Sequence, residues 1–495
     1  MKLFSVPKEI ENVTGALQEA GFQAYLVGGC VRDMVRVEKP KDWDVATDAT
    51  PDEIQKIFPH AFYENEFGTV GVVNDPSTGS GQAIDETLKV VEVTPFRIEG
   101  KYTDGRRPDT VHWSKHLSDD LKRRDFTMNA IAYDPTEDKL VDPFGGQAHI
   151  KDKMIVAVGE PEERFAEDYL RMLRAVRFSA ELGFAIEVRT MDAIRAHAKN
   201  ITAVSAERVR EEFSKLVMSA RPKEGIEIAH ELGILAHIAP EMEKGISVEQ
   251  NGDHIYDVWE HNLRALQHSA DRQWPLQVRL AAMLHDVSKP ETRRWSKEKN
   301  DWTFYGHDVV GGRVAREVLT RLKYPKEIVE NVSKLVRYHL FFSDIEKITL
   351  SAVRRIVSNV GPELVWDLMD VRACDRIGMG RPKETPYRLR KYHSMIEEAM
   401  RAPVSVGMLK IDGAKIMEIT HEKPGPRLGW ILHALLEGAL ENPDINTEDE
   451  MASRALTLAK LSDTELRAIG EAGKVKKEQE EKKELEEIRK RYGVK

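Results

Sequence analysis

The sequence predicts an α+β domain at the N-terminal end, a small mixed sheet with helices, followed by a chain that is all-α. Short runs rich in valine, threonine and aromatic residues, separated by turn signals, are confined to residues 1–150. From about Glu160 onward, apolar residues recur at the spacing of amphipathic helices. Since 495 residues exceed what one core supports, we divide the chain into residues 1–150, 151–245, 246–345 and 346–495.

Four segments of the first domain are predicted strands, because they combine β-branched and aromatic residues with flanking turns. In chain order they are AYLVGG, TVGVV, LKVVEVTPF and NAIAYDP. The turn signals between them include NDPSTGSG and TDGRRPD.

A glycine turn and an acidic pair follow the first strand. The strand AYLV leads into Gly28 and Gly29, where a helix that carries Arg32 begins. The glycines let a triphosphate approach the backbone, and the start of the helix offers free N–H donors to it. Asp42 and Asp44 have the spacing that places two side chains on one face of a strand. Two such carboxylates repel each other unless a dication lies between them, and Mg²⁺ prefers these ligands together with substrate phosphates.

Two neighbouring features extend this site. Glu92 in VVEVTPF is either a third carboxylate facing the metals or a polar residue at a strand edge. The following basic stretch is either a solvated loop or a partner of the triphosphate, and it contains Arg97, Lys101, Arg106, Arg107, Lys115, Lys122, Arg123 and Arg124.

The segment RFAEDYLRMLRAVRFSAELGF is predicted to be one amphipathic helix that ends near Gly183. Asp168 and Arg171 would then share a face, which Arg174 and Arg177 continue. On a bare helix this is a surface ion pair. A carboxylate can also accept a hydrogen bond from the exocyclic amine of C or A, and a neighbouring guanidinium can donate one to the ring nitrogen. G and U present the opposite pattern of donors and acceptors. Such a helix face could therefore select a base without a nucleic-acid template.

A third group of polar residues is rich in histidine. It consists of His261, His285, Asp286, His307, His339 and Asp375. A lone histidine on an apolar helix is usually a core residue, but several histidines with an adjacent His-Asp pair suit Mn, Fe, Ni, Zn or Mg. Hydrolysis by a metal-bound water would follow from such a site.

The motifs of the first half resemble those of class II tRNA nucleotidyltransferases and the related bacterial poly(A) polymerases. They are GGCVRD, DWD, TPFRIEGKYTDGRRPDTV, DDLKRRDFTMNAIAYDP, DPFGG and EDYLRMLRAVRF, in this order. The resemblance implies a nucleotidyltransferase-fold head at residues 1–150 and a helical neck at 151–245.

The same resemblance implies roles for single residues. Asp42 and Asp44 would bind catalytic Mg²⁺, and Gly29 and Arg32 would hold the triphosphate. The remaining nucleotide contacts it implies come from Arg124, Asp125, Glu167, Asp168, Arg171, Arg174 and Arg177. The loop around Arg106 and Arg107 would help the switch from adding C to adding A.

The segment LHDVSKP resembles the HD phosphohydrolase superfamily, whose members often read HDIGK at this place. The resemblance implies an HD domain at residues 246–345 and makes His261, His285, Asp286 and Asp375 the ligands of a transition metal or Mg²⁺. His307 and His339 could serve a second metal. Cyclic phosphates, phosphomonoesters and nucleotides all remain open as substrates.

The last part, residues 346–495, contains a segment that resembles the tail of HD-containing members of this family. We expect its helices, one of which starts at Pro424-Gly425-Pro426, to contact tRNA by shape and phosphates, and the charged end to be a single helix or a frayed tail.

Composition bears on where the chain acts. A net charge of −9 argues against a uniformly basic nucleic-acid binder, and the two distant cysteines, Cys30 and Cys374, fit a reducing cytoplasm. We find no signal peptide and no apolar run that would span a bilayer. The resemblance to tRNA nucleotidyltransferases implies tRNA, CTP and ATP as partners, and we expect no DNA and no membrane.

The sequence thus predicts addition or repair of the 3′-terminal CCA of tRNA, by attack of the tRNA 3′-hydroxyl on CTP or ATP with release of pyrophosphate. Three alternatives remain open: a poly(A) polymerase, a C-adding or A-adding specialist, and a non-enzymatic tRNA-binding protein. An HD phosphohydrolase activity would accompany the predicted addition of CCA.

Overall fold

The computed structural model describes six stretches of the chain: residues 2–63, 68–74, 88–100, 111–252, 254–340 and 348–470. The chain divides into two compact units, one of residues 1–238 and one of residues 239–495. The basic-loop residues Arg106 and Arg107 and the charged tail from 471 onward lie outside the described residues.

The first unit begins with alternating strands and helices and ends in helices. Its strands are β1 (Ala24–Val27), β2 (Asp44–Thr47), β3 (Ala61–Tyr63), β4 (Val70–Val73), β5 (Val90–Pro95), β6 (Arg97–Glu99), β7 (Val111–Trp113), β8 (Ala132–Asp134), β9 (Lys139–Val141), β10 (Met154–Ile155) and β11 (Ala185–Ile186). Its helices are α1 (Lys8–Glu19), α2 (Gly29–Val35), α3 (Pro51–Ile57), α4 (Leu117–Lys122), α5 (Gly146–Lys151), α6 (Pro161–Glu167), α7 (Leu170–Leu182), α8 (Val188–His197), α9 (Ala206–Val217), α10 (Pro222–Glu231) and α11 (Leu235–Ile238).

A mixed sheet forms the centre of this unit. In the described residues its strand order is β3-β4-β5-β2-β1-β8-β9. β2 runs antiparallel to β1 and parallel to β5. Val27, Ala46, Phe96, Leu121 and Ala132 belong to the core beside it. The mixed sheet and all four predicted strand segments are confirmed.

The prediction of one continuous helix through Asp168 is wrong. α6 ends at Glu167, Asp168 has extended backbone angles (φ −149°, ψ 103°), and α7 begins at Leu170. The Asp168 carboxylate accepts a hydrogen bond from the Leu170 backbone N–H at 3.1 Å, which satisfies a donor at the start of α7 that no helical carbonyl can reach. The predicted end at Gly183 is confirmed, since this residue caps α7 in the left-handed conformation.

The second unit is almost entirely helical. Its helices are α12 (Pro240–Glu243), α13 (Val258–Asp271), α14 (Leu276–Leu284), α15 (Lys289–Thr292), α16 (His307–Arg321), α17 (Lys326–Tyr338), α18 (Leu350–Val360), α19 (Val365–Gly378), α20 (Tyr387–Met400), α21 (Gly413–Thr420), α22 (Pro426–Glu441), α23 (Glu448–Ala459) and α24 (Asp463–Gly470).

A short hairpin interrupts these helices. Its strands, β12 (Arg294–Ser296) and β13 (Asp301–Thr303), are paired antiparallel. The expectation of an uninterrupted helical block is wrong here, because Trp295 and Trp302 pair across the hairpin with ring centroids 5.1 Å apart. The predicted helix start at Pro426 is confirmed. Among the described helices, none has the length and apolar character needed to cross a bilayer.

Candidate active site and metal centre

Three motifs of the head meet at Gly28. This residue separates β1 from α2 and adopts φ 75° and ψ −132°, a conformation that favours glycine. A β-carbon at this position would lie 3.0 Å from Arg124 Nη1 and 3.2 Å from Asp44 Oδ2. The glycine therefore allows a guanidinium and a carboxylate to approach the same turn.

The acidic residues of the head lie around this turn. Asp44 is the first residue of β2 and is in register with Glu92 on the parallel strand β5, so the two side chains are on one face of the sheet. Asp42 is an exposed residue in the bend before β2. The expectation that Asp42 and Asp44 share a strand is wrong, because the chain turns at residues 41 and 42 and only Asp44 enters the strand.

Two arginines are held in place beside the turn. Arg32 donates hydrogen bonds to Asp33 Oδ1 at 2.9 Å and to Asn129 Oδ1 at 3.0 Å. Arg124 donates to the fully buried Asp120 at 3.0 Å and to the Asn129 carbonyl at 3.3 Å. Sequence reasoning missed the supporting roles of Asp120 and Asn129, although both belong to the motif DDLKRRDFTMNA.

A buried ion pair joins the head to α7. Asp125 accepts hydrogen bonds from Arg174 Nη2 at 2.6 Å and Nε at 2.9 Å, and from the Asn129 amide at 3.1 Å. Burial alone would raise the pKa of Asp125, but the Arg174 charge and these hydrogen bonds outweigh it and hold the pKa well below its usual range.

The residues expected to read the base do not pair with each other. Arg208 of α9, which sequence reasoning missed, donates to Asp168 Oδ2 at 2.7 Å. Arg171 donates to Glu167 at 2.5 Å and to the Arg123 carbonyl at 3.0 Å. The predicted Asp168–Arg171 pair is therefore replaced by two separate pairs, because the break at Asp168 removes it from the helix face of Arg171.

Arg177 points into the interior of this helical region. It donates to Glu212 of α9 at 2.6 Å and to Glu181 at 2.8 Å, and its guanidinium stacks 3.9 Å from the centre of the Phe178 ring. Glu212 also approaches Arg174 Nη1 at 3.5 Å. Two charged residues of α9, Arg208 and Glu212, thus form ion pairs with the charged residues at the start of α7 and along it.

The second unit brings the predicted histidines and carboxylates together in a buried cluster. His261 Nε2 lies 2.8 Å from His285 Nε2, 3.0 Å from Asp286 Oδ2 and 3.4 Å from Asp375 Oδ1. On the other side of Asp286, Oδ1 lies 3.1 Å from His307 Nε2 and 3.5 Å from His339 Nε2. The six side chains form two groups that could each hold a metal ion, and Asp286 belongs to both.

Backbone contacts fix the orientation of three of these imidazoles. Nδ1 of His285, His307 and His339 lies 2.8, 2.5 and 2.7 Å from the carbonyl oxygen three residues earlier. This contact requires Nδ1 to carry the proton, which leaves Nε2 as the ligand atom facing the cluster.

The chemistry of this donor set fits a divalent cation. Nε2 of His307 and of His339 is buried and has no hydrogen-bond partner, although each lies near Asp286. Burial lowers the pKa of His285, but the Asp286 and Asp375 carboxylates outweigh it and raise the pKa to about 10. The two carboxylates therefore stabilise positive charge at His285, whereas burial lowers the pKa of His339 on the other side of Asp286.

Three family models match successive parts of the chain. The poly A polymerase head domain matches residues 24–156, the probable RNA and SrmB-binding site of polymerase A matches residues 183–246, and the HD domain matches residues 253–379. The last match passes the boundary at 345 that we drew, and includes α19, which carries Asp375.

Two known proteins are similar over most of the chain and a third over nearly half of it. A CCA-adding enzyme of Leuconostoc mesenteroides is 39% identical over 91% of this chain and 97% of its own length. A CC-adding tRNA nucleotidyltransferase of Thermus thermophilus is 32% identical over 90% of this chain and 96% of its own length. A CCA-adding enzyme of Geobacillus sp. is 42% identical over 45% of this chain, which spans 52% of that relative.

A solved structure extends the likeness to the fold. The Bacillus stearothermophilus CCA-adding enzyme in complex with CTP superposes with a TM-score of 0.66 at 26% identity, over 91% of this chain and 98% of that chain.

Proposed function

This chain belongs to the family of tRNA nucleotidyltransferases that includes the CCA-adding enzymes, and from that premise we propose that it completes the 3′-terminal CCA of tRNA from CTP and ATP in the cytoplasm. The tRNA 3′-hydroxyl oxygen forms a bond to the α-phosphorus, the bond to the β-phosphate oxygen breaks, and pyrophosphate leaves. The observation that carries the proposal is the meeting of Gly28, Arg124 and Asp44 in one turn.

In this reaction Asp44 and Asp42 would hold Mg²⁺, with Glu92 beside Asp44 as a further carboxylate. Two such ions supply Lewis-acid stabilisation of the attacking and leaving oxygens. Asp42 lies in a bend rather than a strand, so it would complete the site by turning its exposed carboxylate toward Asp44.

Arg32 and Arg124 would bind the triphosphate oxygens. Both guanidiniums are already fixed by carboxylate and amide partners, so little side-chain entropy is lost when the nucleotide binds. Gly28 and Gly29 would let the phosphates approach the backbone of the turn.

Base selection would rest on Asp168 and Arg171. The Asp168 carboxylate accepts a hydrogen bond from the exocyclic amine of C or A, and Arg171 donates to the neighbouring ring acceptor. G and U present a carbonyl in place of the amine and an N–H in place of the ring acceptor, so neither hydrogen bond can form with them. Arg208 donates to both Asp168 oxygens, at 3.3 Å to Oδ1 and 2.7 Å to Oδ2, and a second lone pair on Oδ2 would accept from the base amine.

A partial specificity is the second candidate, because the Thermus relative that is similar over 96% of its length is a CC-adding enzyme. A poly(A) polymerase shares the head domain.

An addition assay separates the three candidate functions: tRNA ending at the discriminator base receives CTP alone, ATP alone, or both. We expect two C residues from CTP, nothing from ATP, and CCA from both. A product that stays at CC with both nucleotides would support the partial specificity.

For the second unit we propose a metal-dependent phosphohydrolase centre. His261, His285, Asp286 and Asp375 would hold one divalent transition-metal or Mg²⁺ ion, and Asp286, His307 and His339 a second. Such ions lower the pKa of a bound water and polarise a phosphoryl oxygen. A clean-up of blocked 3′-phosphates would supply the free 3′-hydroxyl that the head needs. Metal analysis and hydrolysis of 2′,3′-cyclic AMP by the Mn²⁺-loaded protein test this proposal.

A further inference from the structure

One edge of the metal cluster is lined by polar groups that are not among its six ligand residues. The His254 ring centroid lies 5.1 Å from that of His261, and His254 Nδ1 is buried without a hydrogen-bond partner. Lys289 Nζ lies 2.6 Å from Asp286 Oδ2 and donates to Gln250 Oε1 at 2.6 Å. An imidazole and an ammonium group therefore stand directly beside the ligands.

Residues 254 and 255 at this edge are less buried than the ligand residues. The six ligand residues are at most 5% exposed. His254, in contrast, is half-buried, and the next residue, Ile255, is 70% exposed. A molecule that reaches the cluster past residues 254 and 255 would meet His254 before the ligands.

Hydrogen bonds tie the residues just before His254 to the neighbouring hairpin. Asn251 donates to the Trp302 carbonyl at 2.8 Å, and the Gly252 N–H donates to Asp301 Oδ2 at 3.1 Å, so the segment is tied to the hairpin β12–β13. Gln250, which accepts from Lys289, also donates to the Tyr256 carbonyl at 3.2 Å. His254 and Lys289 are thus positioned by one hydrogen-bonded segment.

We propose that His254, beside the Lys289 ammonium, binds the phosphoryl group at this centre. The inference rests on the proposed phosphohydrolase function and assigns one of its substrate-binding residues. A phosphoryl group has several acceptor oxygens, so it can contact the metal ions, the Lys289 ammonium and the unpaired His254 Nδ1 together. A buried polar atom without a partner is costly, and a ligand oxygen relieves that cost.

The test uses the full-length protein loaded with Mn²⁺ and compares His254→Ala with His237→Ala, which removes an exposed histidine of the first unit. Inorganic phosphate binding is measured by calorimetry, hydrolysis of 2′,3′-cyclic AMP by product analysis, and metal content by mass spectrometry. We expect His254→Ala to keep its metal, to bind phosphate about tenfold more weakly or worse, and to raise KM, because it loses a hydrogen bond to a charged ligand. His254→Asn, which can place an amide N–H near Nδ1, should recover part of the affinity.

The outcomes separate this inference from the function on which it rests. If the wild-type protein holds metal but neither binds phosphate nor hydrolyses the cyclic nucleotide, the phosphohydrolase proposal fails. If the wild type does both and His254→Ala binds phosphate equally well, the assignment of His254 is overturned. Loss of metal in His254→Ala would also overturn it, because His254 would then belong to the ligand set.

Discussion

At the scale of single residues, the head relies on charged side chains that are fixed before any nucleotide arrives. Arg124 is held by the buried Asp120, and Arg174 by the buried Asp125. Each arginine keeps its N–H donors in a defined direction, and its positive charge balances the negative charge of the buried carboxylate. The proposed nucleotide site and the stability of this unit would therefore depend on the same ion pairs.

The most direct residue-level prediction concerns Asp44. Asp44→Asn removes a negative charge from the proposed metal site while keeping the side-chain shape, so nucleotide addition should fall by about a thousandfold or more with little change in melting temperature. Single-turnover addition to a truncated tRNA measures this. Asp192→Asn, which alters an exposed ion pair on α8, should leave the rate unchanged. Full activity in Asp44→Asn would remove Asp44 from the reaction.

A second prediction concerns the Asp125–Arg174 pair. Arg174→Met leaves a carboxylate that is 8% exposed without its charge partner, which should lower the free energy of unfolding by about 2–4 kcal/mol. This is less than for a fully enclosed pair, because the Arg174 side chain is 31% exposed. Urea unfolding measures the loss. Arg195→Met, in an exposed pair on α8, should cost less than about 1 kcal/mol.

The same pair predicts a pH dependence. Because the pKa of Asp125 is lowered in the folded state, its stabilisation is fully present above the unfolded pKa of about 3.9 and is lost as the pH falls below that value. The stability difference between wild type and Arg174→Met should therefore shrink on acidification through about pH 4. A difference that stays constant down to pH 3 would contradict this account.

At the scale of elements, the sequence was informative where a motif has a local cause. The alternation in VVEVTPF, the paired glycines and the Pro426 start all act through neighbouring residues, and all were found. The break at Asp168 depends on Arg208, forty positions away, and on a backbone contact to Leu170. Apolar residues keep their helical spacing on both sides of Asp168, so the periodicity of the sequence could not reveal the break between α6 and α7.

Long-range partners set the other limits of sequence analysis. The ligand set in the second unit was predicted residue by residue from its resemblance to a family, and the structure brings all six side chains together. Arg208, Glu212 and His254 carry no local signal, because each is defined by what it meets in space. The bend at Asp42 was missed because DWD fits a strand equally well.

The turn at Gly28 gives a prediction at this scale. Gly28→Ala places a β-carbon 3.0 Å from Arg124 Nη1 in a backbone conformation that alanine rarely adopts. We expect a loss of stability of about 1–3 kcal/mol and a fall in addition rate of about tenfold or more. Gly15→Ala is the matched control, because it lies within α1 and the added carbon would meet no atom within 4 Å other than those of its chain neighbours and its own helix backbone. That variant should be neutral or stabilising by up to about 1 kcal/mol.

At the scale of the whole molecule, the two candidate sites lie in separate units. The first contains the turn at Gly28 and the helices α7 and α9, and the second contains the histidine cluster on α13, α16 and α19 and at the ends of α14 and α17. Each has its own core. Metal binding at the cluster should therefore stabilise the second unit selectively.

Hydrogen exchange tests this selectivity. With Mn²⁺ at about 100 times its Kd, ligand binding should add about 2.7 kcal/mol to the second unit and slow exchange in α13, α14 and α19. Asp286→Ala, which removes the carboxylate common to both groups, should abolish this slowing. Equal protection in wild type and Asp286→Ala would show that Mn²⁺ acts elsewhere.

The central claim is that a protein surface, rather than a nucleic-acid template, directs a short defined addition to tRNA. The most direct measurement is to supply all four nucleoside triphosphates with Mg²⁺ to a tRNA that ends at the discriminator base, and to sequence the new 3′ ends. The account predicts ends of CCA, with U and G absent and no further growth. Long tracts of A, mixed sequences or unextended tRNA would contradict it.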